Sequence, residues 1–424
     1  MVMNGGRERA TPQSGDTQAS RGMTVHDLRR AEAAATPRPA DSLPERARRA
    51  AAVAAQHAET VDREGRFPAE AIAAARAEGL LGVMAPSALG GEAASLSDIA
   101  DVCYTLGRAC ASSAMIYAMH QVKVACVIRH GAGSPWHEGF IGDLIAHQLL
   151  LASSTTEGQN GGNVRSSEAA IEQAGGRISL ERNASVISYG EQADAVVTTA
   201  RRCADAAASD QVLVVFRRSD YSLERTQDWD TLGMRGTCSA GFTLRATGEA
   251  AQILPVPYET IHAHSMVPTA HILWSSAWAG VTAAAVERAR RYLRKAARAN
   301  QGALPPSAAY FTKANTDLRA MRALIAGALR RYERLADDPA ALSTIDFQSA
   351  ISLLKVDASE LAVSSVMSAL RCCGLSGYRN DSDISIGRSL RDVLSSPIMI
   401  NNDRILANVA SSALLTEIPV SLRD

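Results

Sequence analysis

The stretch Ala152-Ser-Ser-Thr-Thr-Glu-Gly-Gln-Asn-Gly-Gly-Asn163 divides the chain. It closes a β-prone run at 149–153 and passes into a Gly/Asn turn through which no helix would continue. Upstream, from about 42 to 150, apolar residues recur at helical steps. The segment 97–120 shows this: Ile99, Val102, Cys103 and Leu106 follow a Ser97/Asp98 cap signal, which predicts a helix. Downstream, β-prone runs at 177–180, 195–199, 211–216 and 241–245 are separated by Gly, Asn and Asp clusters, and Phe242 and Leu244 alternate onto one face. The helical period returns over 266–300, 308–336, 346–373 and 400–416. The third of these is apolar nearly all round (Ile351, Leu354, Val356, Leu361, Val363), which predicts burial in a bundle or at a subunit interface.

These textures predict an α+β multidomain chain. A disordered tail occupies 1–40, an N-terminal all-α domain 41–150, a middle antiparallel β-domain 151–260 and a C-terminal four-helix bundle 261–424. An active site is expected where the three blocks meet, because large ligand sites favour domain junctions.

Composition narrows the function. With 424 residues, 46% of them hydrophobic, the chain can bury a large core. Its 44 basic and 44 acidic residues balance and are dispersed, so neither nucleic acid nor an anionic membrane is an expected partner. The most apolar window, about 266–286, is broken by Pro268, His271 and several serines and makes a poor membrane span. Residues 1–40 are polar and lack a secretory core. The seven cysteines are odd in number and form no paired CxxC set, so free thiols in a reducing cytoplasm are expected and no metal site.

Three further motifs accompany the first: Val186-Ile-Ser-Tyr-Gly190, placed on a strand; Leu232-Gly-Met-Arg-Gly-Thr-Cys-Ser239; and Cys373-Gly-Leu-Ser-Gly-Tyr378 followed by Ile386-Gly-Arg-Ser-Leu-Arg-Asp392. In this order and spacing they resemble the acyl-CoA dehydrogenase superfamily, over about residues 45–415. The resemblance implies that family's three-domain fold and a flavin, normally FAD, between the β-domain and the bundle. It implies Thr155, Thr156, Ser188 and Asn402 as flavin contacts, with Ser188 where the family usually has Thr beside flavin N5. Gly374 and Gly377 would approach the pyrophosphate on a partner subunit, in a homodimer or homotetramer. Asn163 and Trp274 would face the substrate. Arg391-Asp392 reads as a local ion pair.

The sequence departs from the family at its chemistry. An ungapped match puts Ile400 where the family's catalytic glutamate stands, and Ile400 cannot take a proton. The helix that supplies the base in other members offers Leu273, Trp274 and Ser275. Asp403, three residues beyond, and His120, on an apolar helix, are the candidate replacements. Val186 replaces a flavin-covering aromatic, Glu157-Gly158 replaces Glu-Pro, and 300–306 matches poorly the segment that reaches the partner's ADP moiety.

Two reaction types follow from the resemblance, and a non-catalytic flavin binder is the third reading. The first is an FAD-dependent oxidoreductase acting on the CH–CH group of an acyl thioester, on CoA or a carrier protein, with an external electron acceptor. The second is a two-component monooxygenase that takes reduced flavin, FAD or FMN, from a separate reductase and forms a hydroperoxyflavin. Superfamily frequency favours the first; Ser188 and Ile400 suit the second.

Overall fold

A computed structural model of the protein describes residues 41–158, 164–415, 418 and 420–421. Its N-terminal helices are Leu43–Glu64, Ala69–Ala77, Leu96–Gly107, Ala111–His130 and Pro135–His147. The predicted helix over 97–120 is therefore two. The first is capped by Ser95, one turn ahead of Asp98: Asp98 N donates to Ser95 Oγ (3.1 Å) and Ser95 N to Asp98 Oδ2 (2.9 Å). The helix ends at Gly107, Cys110 is extended (φ −149°, ψ 117°), and the next helix starts at Ala111; Gly107 also lies where the first of the two crosses the Val267–Ala299 helix at backbone contact. A Cβ on Gly107 would lie 2.3 Å from Ala277 O, and one on Gly280 2.2 Å from Tyr104 O. The Ala111–His130 helix is apolar and long enough to cross a membrane, yet 83% of its most apolar window is buried inside the fold.

The β-region forms two sheets, ordered β1 (Leu151–Ser154), β4 (Ala195–Arg201), β5 (Gln211–Arg217) and β2 (Glu172–Ala174), β3 (Arg177–Ala184), β7 (Gly241–Glu249), β6 (Tyr221–Gln227). Among the named strands all pairings are antiparallel except β1 with β4, so the antiparallel β-domain carries one parallel pair. Between these two strands the chain forms the β2–β3 hairpin in the other sheet, and β4 then runs parallel to β1. β1, β4 and β5 are buried almost throughout, whereas β3 and β7 alternate. The segment 186–190 is not a strand. It turns after β3, with Tyr189 left-handed (φ 43°) and its hydroxyl donating to Leu151 O (3.0 Å).

In the C-terminal part, Tyr258–Ile261 runs through a π-helical turn, His262–Met266, into Val267–Ala299. The Ile345–Cys373 helix packs against both Val267–Ala299 and Ala308–Leu335, which accounts for its apolar circumference. The last helix is Asn402–Ala413, two residues later than expected. Ile400 takes φ 49°, and the Asn401 side chain caps by accepting from Asp403 N (2.9 Å). Gly374 ends the Ile345–Cys373 helix at φ 54°, ψ −136°, a conformation available only to glycine.

Candidate active site

A cavity of about 1010 Å³ opens where the Ala111–His130 helix, the turns of the β-domain, the start of the Val267–Ala299 helix and the segment 394–412 meet. Its two walls differ in chemistry.

The β-side wall is a row of hydroxyls. Ser153, Thr155 and Thr156 leave the end of β1, and Ser188, Thr237 and Ser239 come from two turns. Tyr189, Met234 and Cys238 in those turns all adopt φ > 0 without being glycine, at a cost of roughly 1–2 kcal/mol each. Packing holds them there. Met234 N donates to the buried Asp392 (2.7 Å), and a Cβ on Gly233 would lie 2.1 Å from Arg391 O. The Leu-Gly-Met-Arg and Arg-Asp motifs thus form one unit. Arg391 pairs with Asp62 of the first helix, not with Asp392 as expected, and also donates to Leu232 O (3.0 Å). Burial pushes the Asp392 carboxyl up to about 6.

The hydroxyls are linked in a directed chain. Thr237 Oγ1 donates to Met234 O (2.9 Å), because a carbonyl only accepts. Ser239 then donates to Thr237 (2.7 Å), and Ser188 to Ser239 (2.8 Å). With its proton committed, Ser188 presents a lone pair to the cavity. The carboxylate of this motif, Glu157, is buried and turned inward. It accepts from Glu168 N (2.7 Å) and Ala169 N (3.2 Å) and pairs with buried Arg182 (3.4 Å).

The helical wall is basic and apolar. It carries Met115, Met119, Lys123, His262, Met266, His271 and Trp274. His262 lies in the π-helical turn, a feature common at functional sites. His271 Nδ1 lies 3.0 Å from Ile351 O, which fixes the proton on Nδ1 and leaves Nε2 as the basic nitrogen. Burial pushes both imidazoles down to about 4. Ile400 closes this side with Leu394, Ile398 and Met399. Among the described residues, no Asp or Glu lines the cavity.

The sequence candidates divide accordingly. Thr155, Thr156, Ser188 and Trp274 lie together on the cavity wall. His120 does not. It is buried, its Nε2 lies 2.9 Å from Leu81 O, and its Nδ1 accepts from Leu151 N (3.0 Å), so both nitrogens are engaged with backbone and neither is free to take a substrate proton. Asp403 is exposed in the first turn of the last helix and off the wall. Asn402 points into the bundle, where it accepts from Lys355 Nζ (2.7 Å) and donates to Glu360 (2.8 Å), so this chain's Asn402 is a structural partner and not a cavity contact. Gly374 and Gly377 are away from this chain's own cavity, and Asn163 lies outside the described residues. Lys123, His262 and His271 were missed as site residues. A lysine between Val122 and Val124 on an apolar helix was the available signal for the first.

Residues 41–134 and 269–415 match the acyl-CoA dehydrogenase N-terminal and C-terminal domains. The chain belongs to the acyl-CoA dehydrogenase superfamily. That family consists of flavin-dependent enzymes, and the helix, sheet, helix order of this chain is its fold. No curated protein matches the sequence. Among solved structures, FMN-bound TdsC from Paenibacillus sp. A11-2 is similar at TM-score 0.78 and 18% identity, covering 89% of this chain and 98% of that one. Methanesulfinate monooxygenase MsuC from Pseudomonas fluorescens follows at 0.76 and 19%, covering 90% and 98%. The prolyl acyl carrier protein oxidase AnaB is similar at 0.73 and 17%, covering 88% and 98%. Identities this low speak for the shared fold. Among the described residues, the family's usual glutamate is absent from the cavity wall.

Proposed function

We propose that the protein is a flavin-dependent monooxygenase that takes reduced flavin from a separate reductase and oxygenates a small molecule. The observation that carries this reading is the absence of any carboxylate on the described cavity wall, with Ile400 at the family's base position. Without a base, the α-proton of a thioester has no acceptor of the usual kind. A bound reduced flavin supplies the activation of oxygen, one atom entering the substrate and the other leaving as water.

The β-side wall fits the flavin. Its short hydroxyls match the polar edge of an isoalloxazine. Ser188, which offers a lone pair and no proton, suits a ligand atom bearing hydrogen, as N5 does in the reduced state. His271 Nε2, neutral at physiological pH and made a weak base by burial, is a hydrogen-bond acceptor on the opposite wall. The buried methionines and Trp274 exclude water from the reacting end.

This chain's own walls serve the isoalloxazine end. An FAD would need its adenosine half held by the 374–377 turn of a second copy, beside which Leu375 and Tyr378 are 71% and 74% exposed; an FMN would not. The mass of the flavin released on denaturation, read with the oligomeric state, separates the two.

The reading is tested by mixing chemically reduced, flavin-loaded protein with oxygen while following absorbance. A transient species ahead of the oxidised spectrum, shortened by an oxygenated substrate, is the expected result. Direct return to oxidised flavin at the rate of free reduced flavin would overturn it.

A further inference from the structure

Among the described residues, four Lys and Arg side chains are buried: Arg46, Lys123, Arg182 and Lys355. Three have strong partners. Arg46 pairs with Glu92 (2.5 Å), Arg182 with Glu157 (3.4 Å), and Lys355 donates to Asn402 (2.7 Å) and Ile400 O (3.2 Å). Lys123 is the exception. It is 3% exposed, and its Nζ meets only the thioether of Met266, at 3.5 Å. A thioether is a weak acceptor. An ammonium buried without a counter-charge costs several kcal/mol. A position that keeps one on a cavity wall is explained when the counter-charge arrives with a ligand.

The surroundings agree. Lys123 shares the helical wall with His262 and His271, and no described carboxylate faces them. Burial lowers the Lys123 ammonium to about 8, so it still carries its charge at neutral pH. Next to it, Met115, Met119, Met266 and Trp274 form an apolar stretch. The hydroxyls suited to a flavin are on the other wall.

We propose that Lys123 is the counter-charge for an oxyanion on the substrate, so that the enzyme acts on an apolar molecule carrying a carboxylate or sulfonate head. This deepens the monooxygenase reading and rests on it for the reaction, but the binding claim is separable. The apolar body lies along the methionines and Trp274, and the head reaches Lys123. Binding the anion replaces the missing counter-charge.

The test uses flavin-loaded protein titrated with benzoate, benzenesulfonate and octanoate, each against its neutral amide, following the perturbed flavin spectrum and the melting temperature. Wild type should bind at least one acid about tenfold more tightly than its amide, the scale of one modest electrostatic contact. Lys123→Met should abolish that preference and leave flavin affinity unchanged. It should also raise the melting temperature of the ligand-free protein, because an apolar side chain of similar length replaces an unpaired charge. Lys123→Arg should retain the preference. Equal binding of every acid and its amide overturns the proposal. A Lys123→Met protein that loses flavin affinity while keeping the acid preference also overturns it and assigns the lysine to the flavin. The oxygen experiment reads the function separately: a transient species without acid preference sinks only this inference, and acid preference without a transient species sinks only the monooxygenase.

Discussion

The two walls of the cavity follow different rules. The β-side wall is built from backbone turns in left-handed conformations, with short hydroxyls set by Tyr189, Met234 and Cys238 and fastened through Asp392. The helical wall is built from side chains on rigid helices, and its chemistry is whatever those side chains are. The difference explains which wall keeps the family pattern. A turn that needs a particular glycine or a left-handed residue tolerates few replacements. A helix position accepts lysine or histidine without altering its backbone, so the chemistry of the helical wall is free to change.

The comparison can be broken most severely at the helix crossing that positions the basic wall. Gly280→Ala places a methyl 2.2 Å from Tyr104 O. A destabilisation of about 3 kcal/mol or more is expected, read by chemical denaturation. A change of under about 1 kcal/mol would mean that the helices separate easily and that the wall is not rigid.

Next is the turn at Ile400. Asn402→Ala removes the main partner of buried Lys355, which holds the Ile400 carbonyl. A loss of about 2–3 kcal/mol is expected. Flavin affinity should change little, because Asn402 is off the wall; a large loss of flavin binding would restore the cofactor role that the resemblance implied for it.

The pH dependence sharpens the contrast, since the depressed histidines lie on or behind the helical side. His120, His130, His262 and His271 are each pushed down to about 4, chiefly by burial. Unfolded histidine titrates near about 6.5. Below that pH the unfolded chain takes up protons that the folded one refuses. The stability is therefore fully present above about 6.5 and is lost as pH falls toward 4. A melting temperature that declines through this window is expected. One that stays level down to pH 4.5 would contradict the burial of these imidazoles.

The smallest effect belongs to the hydroxyl chain. Ser239→Ala frees the Ser188 proton, and affinity for reduced flavin should weaken about three- to tenfold relative to oxidised flavin. An unchanged ratio would show that the direction of the chain does not matter.

Legibility in the sequence follows the same division. The motif carrying Thr155, Thr156 and Ser188 announces the β-side wall, because turns leave glycine and hydroxyl signatures at fixed spacing. Helices are readable from period, but the break after Gly107 is not, since the apolar spacing runs on across it, and the crossing at Gly107 depends on Gly280, far along the chain. His120 looked like a site residue for the reason it is not one: an apolar helix buries it, and two backbone groups outside that helix satisfy it. Lys123 lies three residues on, and only the three-dimensional structure shows that it lacks such partners.

The most direct test of the central claim, that no carboxylate base for thioester dehydrogenation lines this cavity among the described residues, is an anaerobic titration of the flavin-loaded protein with short, medium and long acyl-CoAs and a carrier-protein thioester, following the oxidised flavin band. No bleaching with any thioester is the expected result. Bleaching by even one of them would contradict the account and make His271 Nε2 the first group to replace.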